Sequence, residues 1–165
     1  MESLPIIVFK DAIHTTCLDI RRSVTGVLFL LVIDTIFFYS KRKHTVYIDT
    51  YGIALFAMRI ANGHLIGLRL KLIIMVITVG TCSTSLDDNN AVICNMQYIS
   101  IYLKKKHNMV EFNEFREYVL AGFVRPVHIY RKHNPSDVTT NPLGPMDIYI
   151  PTLSFLYNLK QDNVE

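Results

Sequence analysis

Histidine, cysteine and acidic side chains are the residues of this sequence that could bind a metal ion or act as nucleophiles. Six histidines and three cysteines are present. They form no C-x-x-C pair, no H-E-x-x-H motif and no acidic calcium-binding loop, which are the spacings typical of metal sites. No cysteine has an arginine six positions later, so the phosphate-binding loop of cysteine phosphatases is excluded. The sequence therefore predicts no metal-binding residue.

Residues 76–85 are the stretch that most resembles a binding site. An aliphatic run is followed there by Gly80 and then by small hydroxyl and thiol residues, which could cradle a phosphate. The stretch lacks a second glycine and a lysine, so the polar end of an apolar helix is the favoured interpretation. The chain has no G-x-S-x-G elbow, no P-loop and no dinucleotide fingerprint. We therefore predict no catalytic residue, no cofactor-binding residue and no cofactor.

Asp34 is the single charged residue in the apolar run 23–40. If that run crosses a membrane, a carboxylate within it is costly and indicates a functional or partner contact. If the run does not cross a membrane, Asp34 is an incidental polar residue. Both interpretations stay open at this point.

The run 23–40 has 18 residues, which is the lower threshold for a transmembrane helix. Its aliphatic and aromatic residues contribute roughly −5 kcal/mol to insertion, whereas Asp34 opposes it by about 2.5 to 3.5 kcal/mol. Basic residues flank the run at Arg21-Arg22 and at Lys41-Arg42-Lys43, as juxtamembrane charges do. The balance predicts a transmembrane helix at 23–40.

Residues 65–83 form a weaker candidate for a second transmembrane helix. Arg69 and Lys71 nearly cancel its favourable insertion energy unless their side chains reach the membrane interface. The part 72–79 could instead be a buried parallel strand. Around these two helices we expect a polar segment at 1–22, a basic loop at 41–64 and a polar C-terminal region at 84–165.

The C-terminal region contains one clear helix signal. Asn108 and Glu111 have the spacing of a capping box, and Phe112, Phe115 and Val119 follow at helical intervals. This pattern predicts an amphipathic helix near 109–121. The rest of the region predicts short strands and a proline-rich loop, so we expect it to be mixed α+β.

Composition narrows the class of protein. Of the 165 residues, 50% are hydrophobic and 19% are charged, which excludes a disordered chain. A net charge of +3 is too small to indicate nucleic-acid binding. Three cysteines exclude a disulfide-dense secreted scaffold.

The sequence thus predicts a small α-helical membrane protein with two transmembrane helices and a mixed α+β C-terminal region. We expect it to be a non-catalytic integral membrane protein that contacts lipids and a membrane-protein partner, with no nucleic-acid partner and no defined small-molecule ligand. One alternative is a soluble α/β or α+β single domain that binds a small molecule. Another is the product of an orphan reading frame without a function.

Overall fold

A computed structural model describes residues 3–13, 23–43, 49–98 and 109–140. These residues form five β-strands, three α-helices and two short 3₁₀ segments. In chain order the elements are β1 (Ile6–Ile13), β2 (Val24–Leu31), β3 (Asp34–Arg42), α1 (Thr50–Ile74), β4 (Ser83–Asp87), α2 (Asn90–Gln97), α3 (Met109–Leu120), β5 (Val124–His128) and the 3₁₀ segments Arg131–His133 and Pro135–Thr139.

The five strands form one mixed sheet in the order β3-β2-β1-β4-β5. The first three strands are antiparallel, with Asp11 of β1 opposite Gly26 of β2, and Gly26 opposite Ser40 of β3. β4 then runs parallel to β1, with Phe9 opposite Leu86, and β5 runs parallel to β4. β1 is therefore the central strand.

The helices cover one face of the sheet. Asp49 caps the start of α1, and its side chain accepts a hydrogen bond of 2.6 Å from the Gly52 amide. Its buried residues recur at the helical period, which gives α1 one apolar stripe against the sheet. Together with side chains from the sheet, α2 and α3, this stripe forms the core, which includes Ile6, Val8, Val27, Phe29, Ala54, Met58, Ala61, Leu65, Ile93, Phe112 and Phe115.

The segment Pro135–Thr139 packs on β1 and β2 from the other face. It approaches the sheet closely at Gly26, where an added Cβ would lie 1.9 Å from Thr139 Oγ1 and 2.6 Å from Thr140 Cγ2. Glycine in a strand interior often marks such a close approach. Ser40 Oγ of β3 donates to the Thr139 carbonyl at 2.6 Å, which fastens the segment to the edge of the sheet.

The predicted transmembrane helix at 23–40 is wrong, because these residues form most of the β2–β3 hairpin. β2 lies inside the sheet and is covered on both faces, so five consecutive residues, 25–29, are buried. A strand of this kind has a continuous apolar sequence, as a membrane helix does. Asp34 opens β3 next to the turn and is exposed, so its carboxylate bears no burial cost.

The second predicted membrane helix, 65–83, is wrong as well. Its first ten residues complete α1, and Ser83 already belongs to β4. Within the described ranges α1 is the one helix long and apolar enough to cross a membrane, but its buried stripe packs in the core of the sheet. The small helical membrane fold and the membrane location are therefore not supported, and the alternative of a single α+β domain comes closer to the observed architecture.

Other expectations fall partly on described residues. α3 spans Met109–Leu120 where an amphipathic helix was expected, with Phe112 and Phe115 buried and Val119 half-buried. The proposed cap, Asn108, lies outside the described residues, as do Arg21-Arg22 and everything after residue 140.

Replacing Gly26 with alanine should lower the free energy of unfolding by about 1–3 kcal/mol, because the new methyl group overlaps Thr139 and Thr140. Gly63→Ala and Gly67→Ala in α1 are the controls, since an added Cβ there meets nothing within 4 Å. Both should stabilise the protein by about 0.5–1 kcal/mol through lower chain entropy. Urea denaturation measures all three, and a Gly26→Ala variant as stable as the wild type would contradict the close packing.

Candidate active site

Two carboxylates from neighbouring parallel strands lie at the same end of the sheet. Asp87 is the last residue of β4, and Asp11 lies near the end of β1. Since Phe9 is opposite Leu86, continuing the register brings Lys10 level with Asp87, and Asp11 level with Asp88. Acidic side chains so far apart in sequence therefore form one cluster, which we call the acidic cluster (Asp11, Asp87 and Asp88).

Asp87 is almost fully buried on the helix side of the sheet. Its Oδ1 accepts a hydrogen bond of 2.7 Å from the Asn89 amide, and its Oδ2 lies 3.9 Å from Lys10 Nζ. Burial raises the pKa of Asp87 to about 6, although the Lys10 ammonium and the Asn89 amide act against this rise. The negative charges of Asp88 and Asp11 raise it further. The pKa still lies below 7, so the carboxylate is charged at neutral pH.

Asp11 belongs to the opposite face of β1 and contacts the end of the Pro135–Thr139 segment. The hydroxyl of Thr140 donates a hydrogen bond to Asp11 Oδ2. Burial raises the pKa of Asp11 to about 6, and the charges of Asp88 and Asp137 add to this effect, whereas the bond from Thr140 opposes it. Asn134 holds the same strand, since its Nδ2 donates to the Lys10 carbonyl at 2.9 Å.

Asp88 is half-buried beside the other two carboxylates. Burial raises its pKa, while the nearby guanidinium of Arg131 acts in the opposite direction. Arg131 itself forms an ion pair of 3.5 Å with Asp137. Each carboxylate of the acidic cluster thus has a raised pKa, a perturbation that is enriched at functional sites.

A cleft of about 360 Å³ opens beside Asp87 and Asp88. Its remaining walls come from β1 and from the starts of α1 and α2: Ala12, Thr50, Ala54, Asn89 and Asn90. The lining is mainly polar, and Ala12 and Ala54 are its two apolar residues. The cleft is of a size that accepts small ligands, for which about 300–1,000 Å³ is usual.

The donor set suits a hard divalent cation held by few protein ligands. In the described ranges no three His, Cys, Asp or Glu side chains are grouped so as to enclose a metal ion. Mg²⁺ does not need such a cage, because it usually keeps several waters and takes one or two carboxylates together with substrate phosphate oxygens. The carboxylates of the acidic cluster are the candidates for these ligands.

The residues singled out from the sequence lie elsewhere. Asp34 is level with Ile6, five residues along the sheet from Asp11, which corresponds to roughly 17 Å. The stretch 76–85 leads into the start of β4, at the opposite end of that strand from Asp87. Two oxygen atoms of this stretch accept hydrogen bonds from the Arg69 guanidinium: Ser83 Oγ at 2.9 Å and the Thr81 carbonyl at 3.0 Å. It forms no phosphate cradle.

The expectation that no residue is catalytic or metal-binding stays a prediction, and it did not consider Asp11 and Asp87, which the fold brings to one end of the sheet. A signal for them does exist in the sequence. Two short runs, Leu4–Phe9 and Ser83–Leu86, are each followed within two residues by a carboxylate. Two strands that both end in acidic residues are typical of a site at one edge of a parallel pair.

Replacing Asp11 with asparagine should stabilise the protein at pH 8 in the presence of a chelator. The rise of the Asp11 pKa from 3.8 to about 6 corresponds to about 3 kcal/mol of unfavourable ionisation in the folded state. That cost is fully present above pH 6 and declines between pH 6 and pH 4. It is absent below pH 4, where Asp11 is protonated in both the folded and the unfolded protein. Asparagine keeps an acceptor for Thr140.

Urea denaturation of both proteins from pH 4 to pH 8 measures this difference. Asp34→Asn is the control, because this exposed residue should show no such pH-dependent gain. An Asp11→Asn variant that is less stable than the wild type at pH 8 would contradict the unfavourable burial of Asp11.

Solved structures with the same architecture are nucleic-acid enzymes. The N-terminal RNase H domain of a Mycobacterium tuberculosis protein has a TM-score of 0.62 at 10% identity, over 92% of this chain and 99% of that one. RNase H1 from Halobacterium salinarum has a TM-score of 0.60 at 10% identity, over 83% and 95%. An RNase H1 isolated from compost has a TM-score of 0.63 at 17% identity, over 83% and 93%, and has also been solved with an RNA/DNA hybrid.

No family model and no curated protein sequence matches the chain. The expectations of a non-catalytic role and of no nucleic-acid partner rested on missing motifs and on a small net charge. They are contradicted by the solved structures that match the chain, which are RNase H domains. At identities of 10–17% the likeness establishes the architecture. The chain has the RNase H fold.

Proposed function

We propose that the chain is a nuclease, which binds a nucleic-acid strand across the acidic cluster and hydrolyses its phosphodiester bonds. The observation that carries this proposal is the pair Asp11 and Asp87 on adjacent parallel strands, with burial raising the pKa of both to about 6. A protein retains buried carboxylates of this kind at a cost in stability, which favours a functional reason for them. The fold supports the proposal, and RNA/DNA hybrids, which the compost RNase H1 binds, are the first substrate class to test.

The acidic cluster would hold a Mg²⁺ ion between the sheet and the substrate phosphate. When bound, such an ion supplies charge neutralisation at the phosphoryl group and a bound water of lowered pKa. The residues around the cluster keep the carboxylates in position. Thr140 donates a hydrogen bond to Asp11, the Asn89 amide donates one to Asp87, and Asn134 donates one to the Lys10 carbonyl of β1.

Asp88 is the group that we assign to proton transfer. It lines the cleft and is half-buried, and its raised pKa brings it closer to neutrality, where a general base is most effective. In the proposed reaction a water oxygen bonds to phosphorus while the bond to one ester oxygen breaks. Asp88 accepts the proton that the water loses, and the departing ester oxygen takes up a proton from solvent.

Basic side chains flank the acidic cluster on both sides. Lys41 and Arg42 are exposed on β3. In the register of the sheet Lys41 lies level with Ala12 of β1 and Arg42 lies level with Ile13, one and two residues beyond Asp11. Two strand spacings separate them from β1, or roughly 10 Å. On the other side, Arg131 and Lys132 are exposed beyond β5. A polyanion that passes over the carboxylates would meet positive charge before and after them, which supports a nucleic-acid ligand.

Asp11→Asn and Asp87→Asn should each reduce the rate of cleavage of an RNA/DNA hybrid by at least about 100-fold, because each removes a charge that the reaction requires. Cleavage of an end-labelled hybrid in MgCl₂, followed on denaturing gels, measures the rate. EDTA should abolish cleavage by the wild type.

Asp34→Asn is the matched control, since it removes an exposed carboxylate from the far end of the sheet and should retain the wild-type rate. Hybrid binding by Asp11→Asn, measured by fluorescence anisotropy, should persist because a repulsive charge is lost. A wild-type protein that binds the hybrid and does not cleave it in Mg²⁺ or Mn²⁺ would refute the nuclease proposal.

Lys41→Met and Arg42→Met should each weaken hybrid binding and reduce the slope of log K against log salt concentration by about 0.7–0.9, as expected for one lost phosphate contact. Lys71→Met is the control, because Lys71 is exposed 21 residues beyond Thr50 along α1, roughly 32 Å from the cleft. Equal slopes for all three variants and the wild type would exclude this edge from the binding surface.

A further inference from the structure

An exposed tyrosine lies directly beyond the strand that borders the acidic cluster. β5 ends at His128, which is level with Asp87 in the register of β4 and β5. The Ile129 amide extends this pairing by one residue, since it donates a hydrogen bond of 3.0 Å to the Asp87 carbonyl. Tyr130 is the next residue and is 70% exposed. It therefore lies at the end of the sheet that carries the carboxylates.

The Tyr130 ring is linked to the cleft through His128. The two rings form an edge-to-face pair, with their centres 5.5 Å apart and their planes at 79°. His128 Nε2 donates a hydrogen bond of 3.2 Å to the carbonyl of Asp88, which lines the cleft. In an edge-to-face pair each ring uses at most one of its two faces. At least one face of the Tyr130 ring is thus not covered by His128.

Positive charge follows the ring immediately in the chain. The Tyr130 carbonyl accepts a hydrogen bond of 2.8 Å from the His133 amide, which closes the 3₁₀ segment Arg131–His133 against it. Lys132 and His133 are exposed on this segment, while Arg131 forms its ion pair with Asp137. A backbone held in this way presents the ring and the basic side chains together on one short segment.

An exposed aromatic ring beside basic side chains is the combination that binds single-stranded nucleic acid. The basic groups contact phosphates, and the ring stacks on a base with little regard to its identity. A tyrosine ring loses little conformational entropy when it makes such a contact. It can stack only on a base with a free face, and inside a duplex the neighbouring base pairs cover both faces. Tyr130 is therefore suited to an unpaired base.

We infer that Tyr130 is a specificity-determining residue that stacks on an unpaired base, so that the preferred ligand has a single-stranded segment next to the acidic cluster. This inference rests on the proposed function, in which a nucleic-acid strand crosses that cluster. It narrows the substrate class from nucleic acid in general to strands with unpaired nucleotides beside the site of cleavage, such as an RNA/DNA hybrid with an overhang.

Three RNA/DNA hybrids of equal length test the inference with the full chain. The first has a single-stranded overhang that contains 2-aminopurine, a fluorescent base whose emission falls when it stacks. The second has an overhang of abasic nucleotides, which keeps the phosphates but has no bases, and in the third the overhang is paired. Fluorescence anisotropy in EDTA, which prevents cleavage, measures the affinities.

The wild type should bind the first hybrid about 5- to 150-fold more tightly than the other two, which is the range for one stacked base. The emission of 2-aminopurine should fall on binding. Tyr130→Leu should lose both effects, because leucine keeps the apolar bulk and has no ring. Tyr130→Phe should retain both, because the ring remains.

Tyr98→Leu is the matched control. Tyr98 is also exposed, to 60%, but it caps the end of α2 opposite to Asn90, which lines the cleft. This variant should bind all three hybrids as the wild type does. Both tyrosines are exposed, so we expect each variant to fold, and its melting temperature verifies this.

Two results would overturn the role of Tyr130: equal affinity of the wild type for the first two hybrids, or a preference that persists in Tyr130→Leu. The cleavage assay separates this failure from that of the proposed function. If the wild type cleaves the hybrid and Tyr130→Leu keeps the preference, the nuclease stands and only the stacking is excluded. If the preference depends on Tyr130 and no strand is cleaved in MgCl₂ or MnCl₂, the stacking stands and the nuclease is excluded.

Discussion

The register of β1 is the constraint on which the site depends. β1 pairs with β2 on one side and with β4 on the other, and its alternation turns Lys10 into the core and Asp11 to the opposite face. A slip by one residue would exchange these two side chains and would turn Asp11 toward the helices in place of Lys10. The aliphatic residues Ile6 and Val8 hold the register, because the same slip would remove both of them from the core.

The buried charges of Asp11, Asp87 and Lys10 lower the free energy of unfolding relative to apolar residues at the same positions. Burial raises the pKa of Asp11 and of Asp87, and it lowers the pKa of Lys10 to about 8. At neutral pH the Lys10 ammonium group and the Asp87 carboxylate are therefore both still charged. A well-packed apolar pair of similar volume is often as stable as a buried ion pair, or more so. Stability alone therefore does not account for these charges.

The sequence pattern predicted α3 correctly but did not predict the strands β2 and β4. α3 has one apolar face and a polar one, so its period is visible in residues 109–121. β2 is buried on both faces, and its unbroken apolar run resembled a membrane helix. β4 was missed for the opposite reason, since its buried residues are Ser83, Ser85 and Asp87, which have no apolar signature. Nothing in local spacing indicates that Asp11 meets Asp87, because strand pairing across 76 residues decides it.

The contact between Thr140 and Asp11 has a consequence for the order in which the surroundings of Asp11 are assembled. The two residues are 129 positions apart in the chain. At about 5–20 residues per second, a ribosome needs roughly 6–26 s to pass from one to the other. During that interval β1 has already been synthesised, but the segment that covers Asp11 has not. A nascent chain therefore lacks the contact of Asp11 with Thr140 until that segment has been synthesised.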